Sequence, residues 1–258
     1  MILAHASDPH IGEGADNARH LATLATIWRG QYDARLIDAV VITGDLTHNG
    51  ERAEWDALSR ALAPCLGHVP LLLLLGNHDC GALGITYDAD TARMSRREAA
   101  ALSHPHSRYA HGLRVWWMDG VKVIGLDSQA GNAGEILPPL ARGELGAMQI
   151  AALEGELADE VPTILALHHH PLWSEWAHKL EDSDQLLALI DRRPHVMHVL
   201  YGHRHHAQNQ RVGGVQYVAS GKTTALVDGR LVWREVDTAT GDVREVSAGP
   251  GAVRAPFA

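Results

Sequence analysis

The chain has 258 residues, 46% hydrophobic and 21% charged, which excludes disorder over most of its length and suits one core burying about three quarters of the extended surface. With 22 Lys and Arg against 31 Asp and Glu, the formal charge of −9 argues against a broad basic footprint for nucleic acid. Two cysteines, Cys65 and Cys80, cannot make a disulfide framework, and the longest aliphatic run, residues 71–75, is far short of the roughly 20 that a membrane helix needs.

Taken in chain order, Met1 to Asp8 has neither the basic start nor the apolar stretch of a cleaved signal, so a cytoplasmic protein without a membrane partner is expected. Residues 2–7 read as a short strand. Asp16 is placed to cap a helix to about Arg29, with Gly30 beyond its end and Leu21, Leu24 and Trp28 on its apolar face. Residues 38–43 form a second strand, followed by the turn Gly44-Asp45. Asn49 then caps a helix through Trp55, Leu58 and Leu62 that Pro64 stops. A third strand, 70–75, ends in Gly76-Asn77-His78-Asp79. Three strand–turn–helix units in a row predict a mostly parallel sheet with helices packed on it.

A helix over 90–102 and a His/Pro-rich loop lead to the middle of the chain, where 113–118 and 121–127 flank the hairpin signal Asp119-Gly120. Adjacent side chains of a strand face opposite ways, so one of Trp116 and Trp117 belongs to the core and the other to a pocket or an oligomer interface. A Gly/Pro-rich loop through Leu137-Pro138-Pro139 precedes a helix over 144–158 carrying Leu145, Met148, Ala152 and Leu153. The strand 163–167 runs into His168-His169-His170. A helix over 183–192 precedes the strand 196–201, which ends at Gly202-His203. Two hairpins follow, 208–212 with 215–219 and 231–236 with 243–246. Residues 1–248 therefore read as a single α/β domain and 249–258 as a loose tail.

Histidine is the outlying count, at 18, and many of these residues follow predicted strands. Five strand ends deliver Asp8-Pro9-His10, Gly44-Asp45, Gly76-Asn77-His78-Asp79, His168, and Gly202-His203-Arg204-His205. In an open α/β sheet the carboxyl ends of the strands line one crevice. Two carboxylates, a carboxamide and at least four imidazoles meeting there need partners, and a pair of divalent cations provides them. Mixed N and O donors without thiolate suit Mn, Fe, Zn, Co or Ni.

These five blocks, in order over residues 8–205, resemble the calcineurin-like metallophosphoesterases, whose pattern is D-x-H, GD, GNHD/E, a histidine after a strand, and GHxH. The resemblance implies a layered α/β fold with two mixed central β-sheets flanked by helices. It implies that Asp8, His10, Asp45 and His205 hold one metal and that Asp45, Asn77, His168 and His203 hold the other, Asp45 bridging. His168 is preferred to His169 because Pro171 matches the second proline of the family's His-His-Pro-Pro. The implied cofactor is two divalent or mixed-valence ions, Mn, Fe or Zn, sharing a hydroxide that attacks phosphorus in line. Two such ions, two carboxylates and a hydroxide leave a formal +1 inside an acidic protein, enough to hold a phosphate ester.

His78 matches the histidine of GNHD and is the candidate general acid, while Asp79 orients it or anchors the turn. His169 and His170 are open between supporting and substrate-facing roles, and His48 and His206 read as exposed neighbours. Gly44-Asp45-Leu46-Thr47, the His-His-His-Pro segment and the short length resemble the bacterial cyclic-nucleotide and glycerophosphodiester phosphodiesterases. A small phosphodiester is thus the expected substrate; a nuclease or phosphomonoesterase of the same fold is the alternative, and a non-catalytic scaffold the reading from another class. Ser220-Gly221-Lys222-Thr223 ends like a phosphate loop, but Gln216 stands where the first glycine is required.

Overall fold

The structure, a computed structural model, describes residues 1–105, 108–134 and 141–250. The predicted loop through Leu137-Pro138-Pro139 and residues 251–258 of the predicted tail lie outside the described residues.

Strands β1 (Ile2–Ala6), β2 (Ala39–Thr43) and β3 (Leu71–Leu74) alternate with helices α1 (Asn17–Asp33), α2 (Arg52–Leu62) and α3 (Ala89–Leu102). After β4 (Arg108–Ala110) come the hairpin β5 (Leu113–Met118) and β6 (Val121–Leu126), helix α4 (Ala147–Glu156), β7 (Thr163–Ala166), helix α5 (Ser183–Asp191) and β8 (Val196–Tyr201). The hairpins β9 (Ala207–Val212) with β10 (Val215–Ser220) and β11 (Leu231–Asp237) with β12 (Val243–Ala248) complete the order.

These strands build two mixed sheets. One runs β12-β11-β1-β2-β3 and the other β4-β5-β6-β7-β8-β10-β9. In the first, β1, β2 and β3 are parallel; in the second, β6, β7, β8 and β10 are parallel. The sheets stack face to face through Leu3, Val41, Leu72, Leu74, Trp116, Val123, Ile164 and Val218. The alternate residues Val40, Ile42, Leu71 and Leu73 face the other way, onto a core with Leu24, Trp28, Trp55 and Leu58 of α1 and α2. A third core joins Leu165, Val199 and Tyr217 to Leu153 of α4 and to Leu186, Leu189 and Ile190 of α5. Burial on both faces is why the central strands are aliphatic runs without alternation.

Several boundaries differ from the sequence expectation. Helix α1 continues through Gly30 to Asp33, where the Arg29–Asp33 pair spans one turn and open space around Gly30 imposes no stop. Asp16 occupies the cap position, but its carboxylate pairs with Arg19 and makes no cap hydrogen bond. Helix α2 is capped by Glu51 in a reciprocal box with Glu54, rather than by Asn49. The expected helix over 144–158 starts only at Ala147, because the preceding backbone amides of Leu145 and Gly146 donate to the Asp182 carboxylate; Met148 is 71% exposed. Trp116 is buried between the sheets, while Trp117 lies half exposed with the Lys122 ammonium 5.0 Å from its ring. Cys65 and Cys80 are both free and buried. No helix among the described residues is long and apolar enough to cross a membrane.

Buried His5 of β1 gives the fold an acid sensitivity. Its Nε2 lies 3.0 Å from Thr43 Oγ1, its Nδ1 has no partner, and burial, aided by nearby Arg234, depresses its pKa from 6.5 to about 3. A base depressed on folding takes up its proton only in the unfolded chain. Its contribution is therefore absent above pH 6.5 and becomes destabilising as pH falls from 6.5 toward 3. His5→Gln is expected to gain about 1 kcal/mol relative to the parent between pH 6 and pH 5, read from urea unfolding of both proteins in chelator. A pH-independent difference would show that His5 does not carry this sensitivity.

Candidate metal centre

Five of the seven candidate ligands follow their strands on sharp turns. Asp8 (φ 54°), His10 (φ 44°), Asp45 (φ 47°), His203 (φ 72°) and His205 (φ 56°) all have left-handed backbone, a region in which Asp and His are among the better-tolerated non-glycine residues. The loops then brace one another across the two sheets. Asp8 N donates to Gly44 O (3.1 Å), His10 N to Asp45 O (2.9 Å) and Gly202 N to His168 O (2.9 Å). Gly44 (φ +87°) is needed here on two counts, because a Cβ would stand 2.5 Å from His168 Nδ1.

The candidate donor atoms converge in two adjoining groups, with His48 and His78 beside His10 of the first and His169 beside His168 and His203 of the second. In the first, Asp8, His10, Asp45 and His205 bring ligand atoms within 4.8 Å of one another. His10 Nε2 lies 2.9 Å from His205 Nε2 and 3.5 Å from Asp45 Oδ2, and His205 Nε2 lies 3.6 Å from Asp8 Oδ1. The His203 amide donates to both Asp8 oxygens at 3.1 Å and fixes that carboxylate. In the second group, His168 Nε2 lies 3.0 Å from Asn77 Oδ1, 3.2 Å from His203 Nδ1 and 3.3 Å from Asp45 Oδ2. Asp45 thus touches both groups.

The hydrogen bonds around the second group determine which atoms face inward. His168 Nδ1 donates to Thr43 O (2.8 Å), so the neutral ring presents a lone pair at Nε2. Asn77 Nδ2 donates to Gly84 O (2.9 Å), which turns Oδ1 inward as well. Lone pairs of an imidazole, a carboxamide and a carboxylate therefore point at one another, an arrangement only a cation or a proton relieves. The buried His10 Nδ1 and His203 Nε2 have no protein partner. This donor set fits metal ions.

The electrostatics of the bare ligand set agree. Burial, with the adjacent His169 and His168 rings adding to it, holds His203 well below 6.5, and burial depresses His10 to about 3 and His205 to about 4, so these rings are neutral and have lone pairs to offer a cation. Burial also works against His168, but the Asp45 carboxylate outweighs it and raises the ring to about 9. Without another cation the proton settles between His168 and Asp45. Burial raises Asp8 to about 7, despite the His168 charge, with Asp45 adding to the rise. Metal uptake must displace these protons, so affinity rises with pH.

His78, half-buried, lies beside the first group, its ring 4.6 Å from His10 and stacked on His48 at 5.1 Å. Its amide donates to Asp45 Oδ1 (3.0 Å) and its Nδ1 to His48 O (2.8 Å), which leaves Nε2 for a substrate atom. Asp79 is fully buried inside the loops, accepting from Leu46 N, Thr47 N, Thr47 Oγ1 and Gly76 N at 2.7–3.1 Å. That is the geometry of the turn anchor rather than of a group oriented on the His78 ring. His169 is buried with Nδ1 2.7 Å from Ser128 Oγ and Nε2 3.2 Å from Ala141 O. Both nitrogens are occupied, whereas His168 faces Asn77 and Asp45. His170 is turned onto Tyr201 and Gln208, and His206 is exposed.

Two further residues at this place carry no signal in the sequence: His178, whose ring lies 5.5 Å from that of His203, and Trp173, whose ring carries the Arg204 guanidinium at 4.3 Å. Both sit in an irregular segment without periodicity, where only tertiary contacts reveal the placement.

Two stacked mixed sheets with Asp, Asn and His residues gathered at their strand ends define the class: the chain belongs to the calcineurin-like phosphoesterases, a family whose profile matches residues 1–207. It is accordingly an enzyme of a metal-dependent phosphoesterase class. Among its relatives, the cAMP/cGMP dual specificity phosphodiesterase of Mycobacterium tuberculosis is 31% identical over 240 residues, 88% of this chain and 69% of that one. The 3',5'-cyclic adenosine monophosphate phosphodiesterase CpdA of Escherichia coli is 30% identical over 72% of this chain and 61% of its own length. Glycerophosphodiester phosphodiesterase GpdQ of Enterobacter lignolyticus is 28% identical over 80% and 71%. A dimetal phosphatase from Danio rerio shares the fold, with a TM-score of 0.65 at 13% identity over 91% of each chain.

Proposed function

We propose that this chain hydrolyses a small phosphodiester, of the cyclic-nucleotide or glycerophosphodiester kind, at a centre of two metal ions. The observation that carries the reading is Asp45, whose carboxylate oxygen Oδ2 lies 3.5 Å from His10 of the His10–His205 pair and 3.3 Å from His168, which in turn meets Asn77 and His203. Asp8, His10, Asp45 and His205 would hold one ion, and Asp45, Asn77, His168 and His203 the other. Bound ions would supply Lewis acidity toward the phosphoryl oxygens and a hydroxide nucleophile near neutral pH.

The chain's own groups do the rest. Asp45, fixed by the His78 amide, and Asp8, fixed by the His203 amide, keep the ligand cage in place between turnovers. The Thr43 carbonyl sets the His168 tautomer. His78, its Nδ1–H spent on the His48 carbonyl, presents Nε2 to the leaving oxygen and, as the imidazolium, gives it the Nε2 proton and is left neutral. Names of the relatives support the diester class, and the acidic overall charge favours small substrates over a nucleic-acid polymer.

The test is a panel containing a 3',5'-cyclic nucleotide, a glycerophosphodiester, a phosphomonoester and single-stranded DNA, assayed with added Mn²⁺ and with chelator. Diester hydrolysis that chelator abolishes and Mn²⁺ restores is expected. Turnover of the monoester or DNA alone, or turnover indifferent to chelator, would overturn the reading.

A further inference from the structure

We infer that the segment following His170 forms a subsite for the planar base of a nucleotide diester, with the Trp176 indole as its stacking face. The inference rests on the hydrolytic reading above and narrows its substrate.

Of the seven tryptophans, Trp28, Trp55, Trp116 and Trp233 are each at most 1% exposed, as the large apolar surface of an indole favours, and Trp117 lies half exposed beside Lys122. Trp173 and Trp176, by contrast, are 37% and 64% exposed within a short stretch directly after the three histidines that follow β7. Three links through neighbouring residues tie the segment that carries this pair to the candidate metal centre. His178, two residues beyond Trp176, has its ring 5.5 Å from that of His203. Arg204, whose guanidinium lies 4.3 Å from the Trp173 ring, is the residue between His203 and His205. Arg142, 5.6 Å from the Trp176 ring, is held through its carbonyl by Gln129 Nε2 (3.1 Å), itself 3.4 Å from His169 Nε2.

The charges of this wall are largely answered within it. Arg204 pairs with Glu175 at 3.1 Å, and Glu181 takes Arg142 at 2.6 Å and Lys179 at 2.7 Å. Guanidiniums held on carboxylates make a poor second phosphate pocket, but they back the indoles and keep them in place. What the wall offers a substrate is an aromatic face beside the reacting centre. A nucleobase uses such a face, whereas a glycerol arm has no π-surface to lay on it. Stacking tolerates any base, so adenine and guanine nucleotides should both be accepted.

The experiment compares the full-length protein with Trp176→Ala and Trp176→Phe. With Mn²⁺ present, Trp176→Ala should raise KM for a 3',5'-cyclic nucleotide by about tenfold or more and leave kinetics on glycerophosphocholine unchanged, with Phe restoring most of the loss. Independently of turnover, adenosine 5'-monophosphate should quench the intrinsic fluorescence of the parent and quench Trp176→Ala far less. Equal KM changes on both esters, an unchanged KM for the cyclic nucleotide, or quenching that persists in Trp176→Ala would overturn the subsite. So would loss of a dimer in sedimentation without a change in KM, which would make Trp176 a contact between copies. A parent that quenches with the nucleotide but cleaves no diester would sink the hydrolytic reading and leave the subsite standing.

Discussion

Replacing Asp45 with Asn is expected to remove both metal retention and hydrolysis while leaving a folded chain. Its Oδ2 faces both donor groups, 3.5 Å from His10 Nε2 and 3.3 Å from His168 Nε2, while Oδ1 accepts from the His78 amide. Asn keeps that acceptor and tolerates the left-handed backbone at φ 47°, where Ala would add strain. What disappears is the negative charge that draws cations to the shared position and holds the His168 proton. Partners that merely orient a metal ligand cost roughly 10–100-fold when lost, so a ligand common to both groups should cost more than about 100-fold in kcat/KM. The measurements are metal content by mass spectrometry after gel filtration and rates on an activated diester. Activity within tenfold of the parent would refute the shared-ligand assignment.

His78→Ala is expected to separate substrates by their leaving groups. The ring is locked by Nδ1 on the His48 carbonyl and braced by His10 and His48, so Nε2 is its working atom. An alkoxide leaving group needs a proton in the transition state, and a well-placed acid contributes about 10²–10⁴-fold. An activated phenolate departs without one. The variant should therefore lose at least about 100-fold on an alkyl diester and less than about tenfold on a 4-nitrophenyl diester. Equal losses on both would reassign His78 to stabilising the phosphoryl charge.

The strands that frame the site were legible because both their faces are buried, so residues 38–43, 70–75 and 163–167 stand out as aliphatic runs ending in polar turns. Elements fixed by side-chain competition were not. Glu51 and Glu54 outbid Asn49 for the start of α2, and Arg29–Asp33 carries α1 past Gly30. Strand β4 has three residues and no alternation to announce it. In the candidate centre, the block spacing separated the five loops, but the division between His168 and His169 depends on which ring nitrogens find carbonyls, which only the packed structure displays. The aromatic wall was silent for the same reason. The backbone bonds of Gly143 with Lys179 and Glu181 hold that segment beside Arg142, from nearly forty residues away in the chain.

The five left-handed residues of the candidate cage bear on how freely this chain can vary. At Asp8, His10, Asp45, His203 and His205 a β-branched side chain would meet steric trouble before any question of chemistry arose. In a saturation library, folded but inert members should thus collect at Asn and Gly, while Val, Ile and Thr, each strained by about 1–3 kcal/mol, should be depleted from the stable fraction. The shape of the loops narrows the alphabet at these positions first, and the chemistry then selects from what remains.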